Sequence, residues 1–492
     1  MKILKIEKTR IPGLVVSAVA AVATVAFLVV LGLSAMLPTK YFVLGAVAAV
    51  LVTTACALFT RDIRNKLQFT FGAVIAVLMS VVFIVGAVYI QLTMNTLNAF
   101  SDVDTIETPV GIYVRADDPA ETIEDAKDYT FGVLANMDVE NTAKTLDEMS
   151  TLLKKDVTTQ GYESLTQLAD ALLSGETGAM ILNTAYLQMY SDIEGYAEFE
   201  YAIRELETIV LTEEVEKEKP EKDDKKDEKP HVFSVYIGGS DSRGSINQQA
   251  RNDVNIIATV NTETKQVLLV TTPRDYYVPL SISGGVRDKL THAGIYDIEV
   301  SKDTLAMLYD TEIDYYFRIN FTGVEKVVDA LGGITVYNDY AFSTFTGQYY
   351  PEGEITLTGS NVMAFARDRK LSGGEEARGK RQLKVIEGCI NKAMSPEILT
   401  KYTTLLDSVS KFIKMDIPSS EISSLVRNQL ENGGDWNVTR YAVTGWGDSQ
   451  KPWSMAENAY VMWPDEDTVE KAKELMEAVY NDEIITEAML TE

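Results

Sequence analysis

Two short phrases place charge where charge has to be explained. "RND" at 251–253 and "PRD" at 273–275 bracket two runs of strand-type residues, "VNIIATV" and "QVLLVTT", which Asn-Thr-Glu-Thr-Lys connects. β-Branched runs around a short polar connection predict a hairpin. Its open end must gather Arg251, Asp253, Arg274 and Asp275. Taken alone, such pairs are ordinary surface ion pairs. Upstream, "HVFSVYIGGSDSRG" predicts a buried strand running into a glycine-permitted turn that presents Asp241 and Arg243. Downstream, "LTGSNVMAFARDRKLSGGEEARGKRQLKVIEGCI" adds Arg367, Arg369, Arg378, Arg381 and Gln382. Thr358 or Ser360 can cap a helix through "NVMAFA". Arg367 and Arg369 then alternate as in an extended segment, whereas Arg378 and Arg381, three apart, share one face of a following helix. The guanidinium fork matches phosphate oxygens in pairs, so this density of arginine calls for an anionic partner.

The chain that carries these arginines is otherwise acidic. Across 492 residues the formal net charge is −27, which argues against a general nucleic-acid binder. With 46% apolar residues there is material for two or three domains. Two cysteines, Cys56 and Cys389, provide neither a disulfide framework nor a thiolate metal site. Two histidines, His231 and His292, cannot form a three-histidine zinc site and make a Ser–His hydrolase hard to build. No Gly-x-x-x-x-Gly-Lys-Ser/Thr loop is present, so a nucleoside-triphosphate engine is unsupported.

Three uncharged apolar runs, 11–38, 41–60 and 67–100, each reach the roughly 20 residues that a membrane-crossing helix requires. The first is too long for the apolar core of a signal peptide, and two more runs follow it. Lys2, Lys5, Lys8 and Arg10 precede the first run, and Arg61, Arg64 and Lys66 separate the second from the third. The positive-inside rule places both basic segments in the cytoplasm. Three crossings then deliver the rest of the chain to the outer face, which predicts a multi-pass protein of the cell membrane with extracytoplasmic soluble domains.

These signals divide the chain into an anchor (1–100), an accessory domain (101–211), a charged linker (212–230) and a larger domain (231–492) whose motifs fall within 232–393. The linker mixes charges, contains two prolines and cannot bury a core. In the accessory domain, "VGIYVRADDPAETIEDAKDYTFGVLANM" predicts a strand, a short amphipathic helix and a second strand, and "LTQLADALLSGETGAMILNTAYLQMY" a helix, a glycine turn and a strand. That rhythm is similar to one lobe of an extracellular solute-binding protein. The expected fold class is α/β throughout the soluble part, with a mixed central sheet flanked by helices in the larger domain. Near the C-terminus, Trp446 and Trp453 are expected to be buried, with stacking on sugars as the alternative.

Seven phrases in order, "GGSDSR", "RNDVNIIATVN", "LLVTTPRD", "DKLTHAG", "IDYYFRINFTGVEKVVDALGGITV", "LTGSNVMAFARDR" and "RGKRQ", make residues 232–392 resemble the LytR-CpsA-Psr family of cell-envelope phosphotransferases. Three spans, an accessory domain and a tether look most like the capsule-associated branch. The resemblance implies transfer of a glycosyl phosphate, with capsular polysaccharide as the expected polymer, from a polyprenyl-pyrophosphate carrier to a peptidoglycan hydroxyl, assisted by Mg2+ or Mn2+. It matches Asp241 and Asp253 to metal-proximal aspartates, and Arg251, Arg274, Arg367 and Arg369 to pyrophosphate-binding arginines. Arg378, Arg381 and Gln382 complete the pocket, and Lys289 of "DKLTHAG" is a further candidate. Where the family usually has serine between Arg and Asp, this chain has Asn252.

The chemistry agrees with the residues. Phosphoryl transfer is mainly positioning and charge stabilisation, and Mg2+ takes one or two carboxylates plus phosphate oxygens. Arg274 would stabilise charge at the reacting phosphate, and Asp253 or Asp275 could accept the attacking hydroxyl's proton. "VNIIATV", "FTGVEKVVDALGGITV" and "LKVIEGCI" could line a path for the polyprenyl chain, although most of their side chains suit an ordinary core. Two other readings use the same residues. One is a membrane-bound sensor or regulator that binds glycan or lipid without turnover, and the other is a lipid pyrophosphatase in which water replaces the sugar hydroxyl.

Overall fold

The three apolar runs fold as helices α1 (Ile11–Leu33), α2 (Thr39–Phe59) and α3 (Lys66–Ala99) in the computed structural model. The model describes residues 8–99, 104–215, 231–240, 242, 244–344, 347–368, 374–395 and 408–491. Each of these helices is long and apolar enough to cross a membrane. Small residues bring them together: Ala20, Cys56 and Ala76 are buried against one another, and the hydroxyls of Thr24 and Thr53 lie 2.8 Å apart. The apolar side chains on the outside, such as Val22, Leu44 and Val82, are exposed. By compactness these helices form one unit, Met1–Ser101 with Leu399–Asp407 and Ile417–Asp435, and the rest of the chain forms another.

The second unit contains two sheets. The first joins β1 (Asp104–Arg115), β2 (Thr130–Leu134), β3 (Thr158–Tyr162), β4 (Ala179–Asn183) and β5 (Ile203–Val215) in the order β3-β2-β4-β1-β5. β5 therefore extends through 212–215, residues whose charge suggests linker, because all of them pair antiparallel with the start of β1. Helix α4 (Val139–Leu153) follows β2, and α5 (Leu165–Ser174) precedes β4. The Ser164 side chain caps α5 by accepting from Gln167 N, and Gly175, at φ +80°, ends it in the left-handed conformation. The helix expected between β1 and β2 is absent. Asp118 accepts from Ala120 N, and Asp125 accepts from the backbone of Glu121 and Thr122, so these side chains fold the segment into turns instead.

The second sheet is built from β6 (Val232–Ser240), β7 (Asn252–Asn261), β8 (Gln266–Thr271), β9 (Tyr315–Asn320), β10 (Ile413–Met415) and β11 (Asn437–Ala442). Its order is β10-β9-β6-β7-β8-β11, with β6-β7 and β7-β8 antiparallel and β6-β9 parallel. The predicted hairpin is thus present as β7 and β8. Helices α6 (Ile298–Tyr309), α7 (Phe321–Ala330), α8 (Gly359–Arg367), α9 (Gly374–Ala393) and α10 (Glu466–Tyr480) accompany the sheet. One core packs Tyr236, Ile257, Leu268 and Val270 of the sheet against Leu305 of α6 and Leu475 and Val479 of α10. Ile256 and Ile257, expected as possible lipid-path residues, are fully buried, as are Leu383 and Val385.

The two sheets share a core. Ile295, Met455 and Ala459 of the larger part are buried in one cluster with Tyr186, Met189, Tyr190 and Ile193. Backbone bonds from Glu107 N to Asn247 O (3.0 Å) and from Gln249 N to Glu107 O (2.8 Å) join β1 to the segment before β7. The Glu457 carboxylate accepts from both Thr166 N and Thr166 Oγ1 at 2.9 Å. Removing that acceptor in Glu457→Ala leaves Thr166 N without its partner at the start of α5, while Thr166 Oγ1 keeps Ser164 Oγ at 3.1 Å. The substitution is expected to cost about 1–3 kcal/mol, read by urea denaturation of the detergent-solubilised chain. An unchanged midpoint would show that Glu457 contributes nothing to joining the sheets.

Candidate active site

The hairpin places its charged ends together as its register requires. Thr271 lies opposite Ile256, and Thr272 N continues the pairing to Asn255 O, so β8 runs out beside the start of β7. Arg251 precedes β7, and Asp253 is the extra residue of a β-bulge, since Gly239 pairs with Val254 and Ser240 with Asn252. Arg274 Nη1 meets Asp253 Oδ1 at 2.8 Å. Asn252 is fully buried, with Nδ2 donating to Tyr236 OH and Ser301 Oγ. Gly294 of "THAG" makes room for it, since a Cβ there would lie 2.7 Å from Asn252 Cγ. The departure from serine is therefore a matter of core packing.

Three further elements supply partners. The short strand Arg287–Lys289, paired antiparallel with Tyr277–Pro279, buries Lys289 completely. Its Nζ stands 2.8 Å from Asp275 Oδ1 and 2.9 Å from Asp192 Oδ2. From α9, Arg378 Nη2 reaches Asp253 Oδ2 at 3.0 Å. Asp192 comes from the short 3-10 turn Gln188–Asp192, after β4, and pairs with Arg251 Nη1 at 3.1 Å. Arg274 Nε lies 3.5 Å from Asp275. The result is one line of alternating sign, Arg251, Asp192, Lys289, Asp275, Arg274, Asp253 and Arg378, with no side chain more than 10% exposed. Among the described residues, four cations of this line face three carboxylates, a surplus of one positive charge.

The electrostatics follow from that geometry. Burial pushes the Asp253 carboxyl up, but Arg274, Arg378 and Arg251 outweigh it and hold the group far below the usual carboxylate range. At Asp192 burial again pushes up, and Lys289 and Arg251 win. Burial pulls the Arg274 guanidinium down, yet Asp253 and Asp275 hold it firmly charged. Arg381 Nη1 is buried without a hydrogen-bond partner among the described residues, which suits an anionic ligand, whereas Arg274 Nε has its 3.5 Å ion-pair contact with Asp275.

Other expected residues are placed differently. Arg381 donates from Nε to Phe365 O and from Nη2 to Asp368 O, so its guanidinium closes the C-terminal end of α8, where unsatisfied carbonyls collect. Gln382 is buried beside it in α9. Arg367 is not in an extended segment. It is the last residue of α8, its guanidinium 4.2 Å over the Phe321 ring. The cap of α8 is Thr358, with Asn361 completing a capping box. Asp241, Arg243 and Arg369 lie outside the described residues. His292 Nδ1 meets both Asp288 Oδ1 (2.7 Å) and Ser454 Oγ (3.0 Å). With both partners on one nitrogen this is a buried brace for the Lys289 strand, unlike a relay in which each ring nitrogen serves a different partner. Trp446 and Trp453, expected to be buried, are exposed by 58% and 41%.

Asp192 had no signal in the sequence. "LQMYSDIEGY" has no motif, and its meeting with Arg251, 59 positions along the chain, is set by the core shared between the sheets. For a metal, the described residues contain no group of three or more His, Cys, Asp or Glu able to hold one. Asp253 provides an ionised carboxylate of the kind Mg2+ accepts together with phosphate oxygens.

Asp253→Asn removes the charge between Arg274 and Arg378 and is expected to cost about 3–5 kcal/mol in denaturant unfolding. The folded carboxyl sits below its unfolded value, so its contribution is complete above about pH 4 and is lost as acid approaches the folded value. Below about pH 4 the parent chain should therefore lose stability more steeply than Asp253→Asn. Equal acid slopes would contradict a guanidinium-held carboxylate.

Comparison with known proteins places this geometry among relatives. Residues 206–478 match the LytR_cpsA_psr family model. A polyisoprenyl-teichoic acid–peptidoglycan teichoic acid transferase TagU of Halalkalibacterium halodurans is 34% identical over 218 residues, which are 44% of this chain and 70% of the relative. Its counterpart of the same name in Bacillus subtilis strain 168 is 33% identical over 225 residues, covering 45% and 72%. A crystal structure of B. subtilis TagU is 27% identical, covers 52% of this chain and 99% of that one, and superposes with a TM-score of 0.41.

Proposed function

The chain belongs to the LytR_cpsA_psr family, and on that premise we propose that it transfers a glycosyl-phosphate polymer from a polyprenyl-pyrophosphate carrier to a peptidoglycan hydroxyl. The relatives are named for a teichoic acid transferred from a polyisoprenyl carrier to peptidoglycan. For this chain the cargo is a capsular polysaccharide, in keeping with the three spans, accessory module and tether. The anchor crosses the membrane three times, and the basic residues around Arg10 and Arg61 set the soluble part outside the cell.

The observation that most supports this reading is the buried alternating line with its surplus cation beside the orphaned donor of Arg381. A pyrophosphate diester carries two negative charges, and a dry site with positive surplus stabilises them without having to reorganise. In the reaction the acceptor hydroxyl oxygen attacks the glycan-bearing phosphorus. A new O–P bond forms, the bridging P–O bond of the pyrophosphate breaks, and the polyprenyl phosphate leaves with the electron pair. In this reading Arg274 and Arg378 bind the reacting phosphates, Arg251, Lys289 and Arg381 are further donors, and Gln382, Arg367 and Arg369 are assigned to the substrate from their sequence motifs. The hydroxyl proton passes to Asp275. Asp253 is held strongly ionised between two guanidinium groups. Asp253 with Asp241 would hold Mg2+ or Mn2+, which when bound supplies charge neutralisation at the phosphates.

Arg378→Ala and Arg274→Ala are each expected to lower transfer about 10²–10³-fold. The assay follows a fluorescent oligosaccharide from a polyprenyl pyrophosphate onto peptidoglycan fragments. Release of free glycan phosphate instead of a conjugate would favour the pyrophosphatase. Undiminished attachment in cells, with only transcript levels altered, would favour a sensor.

A further inference from the structure

The ion line is incomplete without a residue that the family match does not include. Asp192 and Gln188 lie before residue 206, where the match begins. Arg251 gives two of its three nitrogens to this turn, Nε to Gln188 Oε1 at 3.1 Å and Nη1 to Asp192 Oδ2 at 3.1 Å. Its Nη2 has no hydrogen-bond partner among the described residues. Lys289 Nζ lies between two carboxylates as an ion pair, Asp192 at 2.9 Å and Asp275 at 2.8 Å. Without the turn, a fully buried ammonium would keep one counter-ion and the Arg251 side chain would lose both partners along one edge.

We propose that the turn Gln188–Asp192 of the accessory module is a built part of the diphosphate site, in which Asp192 and Gln188 are positioning residues that hold Arg251 and Lys289 in their phosphate-binding pose. The proposal rests on the reading that the line receives a polyprenyl pyrophosphate, and it gives the accessory module a role in the same reaction.

The anchoring of the turn separates this from a plug that substrate would displace. Met189, Tyr190 and Ile193 are buried in the core that the two sheets share. Tyr190 OH donates to Leu165 O at 2.7 Å, and its ring packs 4.3 Å from that of Phe199. Moving Asp192 aside would pull those side chains out of the core. A carboxylate mounted this firmly keeps its place while ligand comes and goes, and directs the free donors of its two cations towards the ligand.

The test uses the full chain in detergent, with farnesyl diphosphate as binding probe and the fluorescent polyprenyl-pyrophosphate oligosaccharide as substrate. Asp192→Asn leaves two buried cations short of one counter-charge, so farnesyl diphosphate should bind at least about fivefold more tightly. Turnover should fall on the order of 10²-fold, because Arg251 and Lys289 are no longer aimed. Asp192→Glu should recover part of the turnover, and Glu194→Gln, an exposed acid two residues on, should behave as the parent. This split between tighter binding and slower chemistry is what a merely structural acid would not produce. The inference is overturned if Asp192→Asn leaves affinity and turnover unchanged. It is also overturned if turnover rises, as for a plug, or if both fall with the melting temperature and Asp192→Glu restores neither. Failure of the parent chain to bind farnesyl diphosphate would overturn the diphosphate reading itself and this inference with it. Parent binding matched by Asp192→Asn in every respect would sink the role of the turn alone.

Discussion

A buried line of alternating charge is the constraint on which the second unit depends. Taking an ion out of water costs several kcal/mol, and an isolated buried pair rarely recovers it. Each inner member of the line has an opposite charge on two sides: Asp192 between Arg251 and Lys289, Asp275 between Lys289 and Arg274, Asp253 between Arg274 and Arg378. At the two ends, Arg251 pairs with Asp192 and Arg378 with Asp253. The fold has to bring five separate segments to this line, and most of its architecture reads as the means of doing so. A hairpin sets Asp253 against Arg274, a two-stranded pair delivers Lys289, α9 delivers Arg378, and the core shared by the two sheets delivers Asp192.

A net charge of −27 does not contradict a site for a doubly charged anion. At physiological salt, exposed charges are screened beyond about 8 Å, whereas charges inside the line act through protein. What the ligand meets is set locally by four cations and three carboxylates. The use of arginine there is equally physical. Arg378 bonds Asp253 through both its side-chain and main-chain oxygens. Arg274 spans two carboxylates, which a planar fork can do while still holding a donor in reserve. Lysine occupies position 289, fully buried, where a compact charge sits between Asp192 and Asp275.

Much of this was legible in the sequence because it is local. The membrane helices follow from run length, the hairpin from β-branched runs around a polar connection, and the pairing of Asp253 with Arg274 from the hairpin's own register. The α8 cap was equally legible from Thr358. What escaped was decided by competition or by distance. Residues 119–127 have a helical pattern, but Asp118 and Asp125 offer their backbone stronger partners in turns. Arg367 looks extended beside Arg369, yet α8 runs one residue further. Arg381 and Arg378 share a helix face as expected, but only Arg378 reaches the acids, because Arg381 is taken by the carbonyls of Phe365 and Asp368. Asp192 has no local signature at all.

The line also determines how the site must respond to change. Because every carboxylate serves two cations, removing one alters both neighbours and through them the next acid. Residues in one buried network do not contribute independently, and their substitutions are coupled rather than additive. Arg251 and Arg378 do not touch. They communicate through five intervening charges, so the accessory turn that fixes one end bears on the pose at the other. A module whose fold is its own can therefore influence phosphate chemistry without contacting the phosphate, provided that its one acid stays seated. The packing of Tyr190 and Ile193 beside Asp192 is what keeps it there.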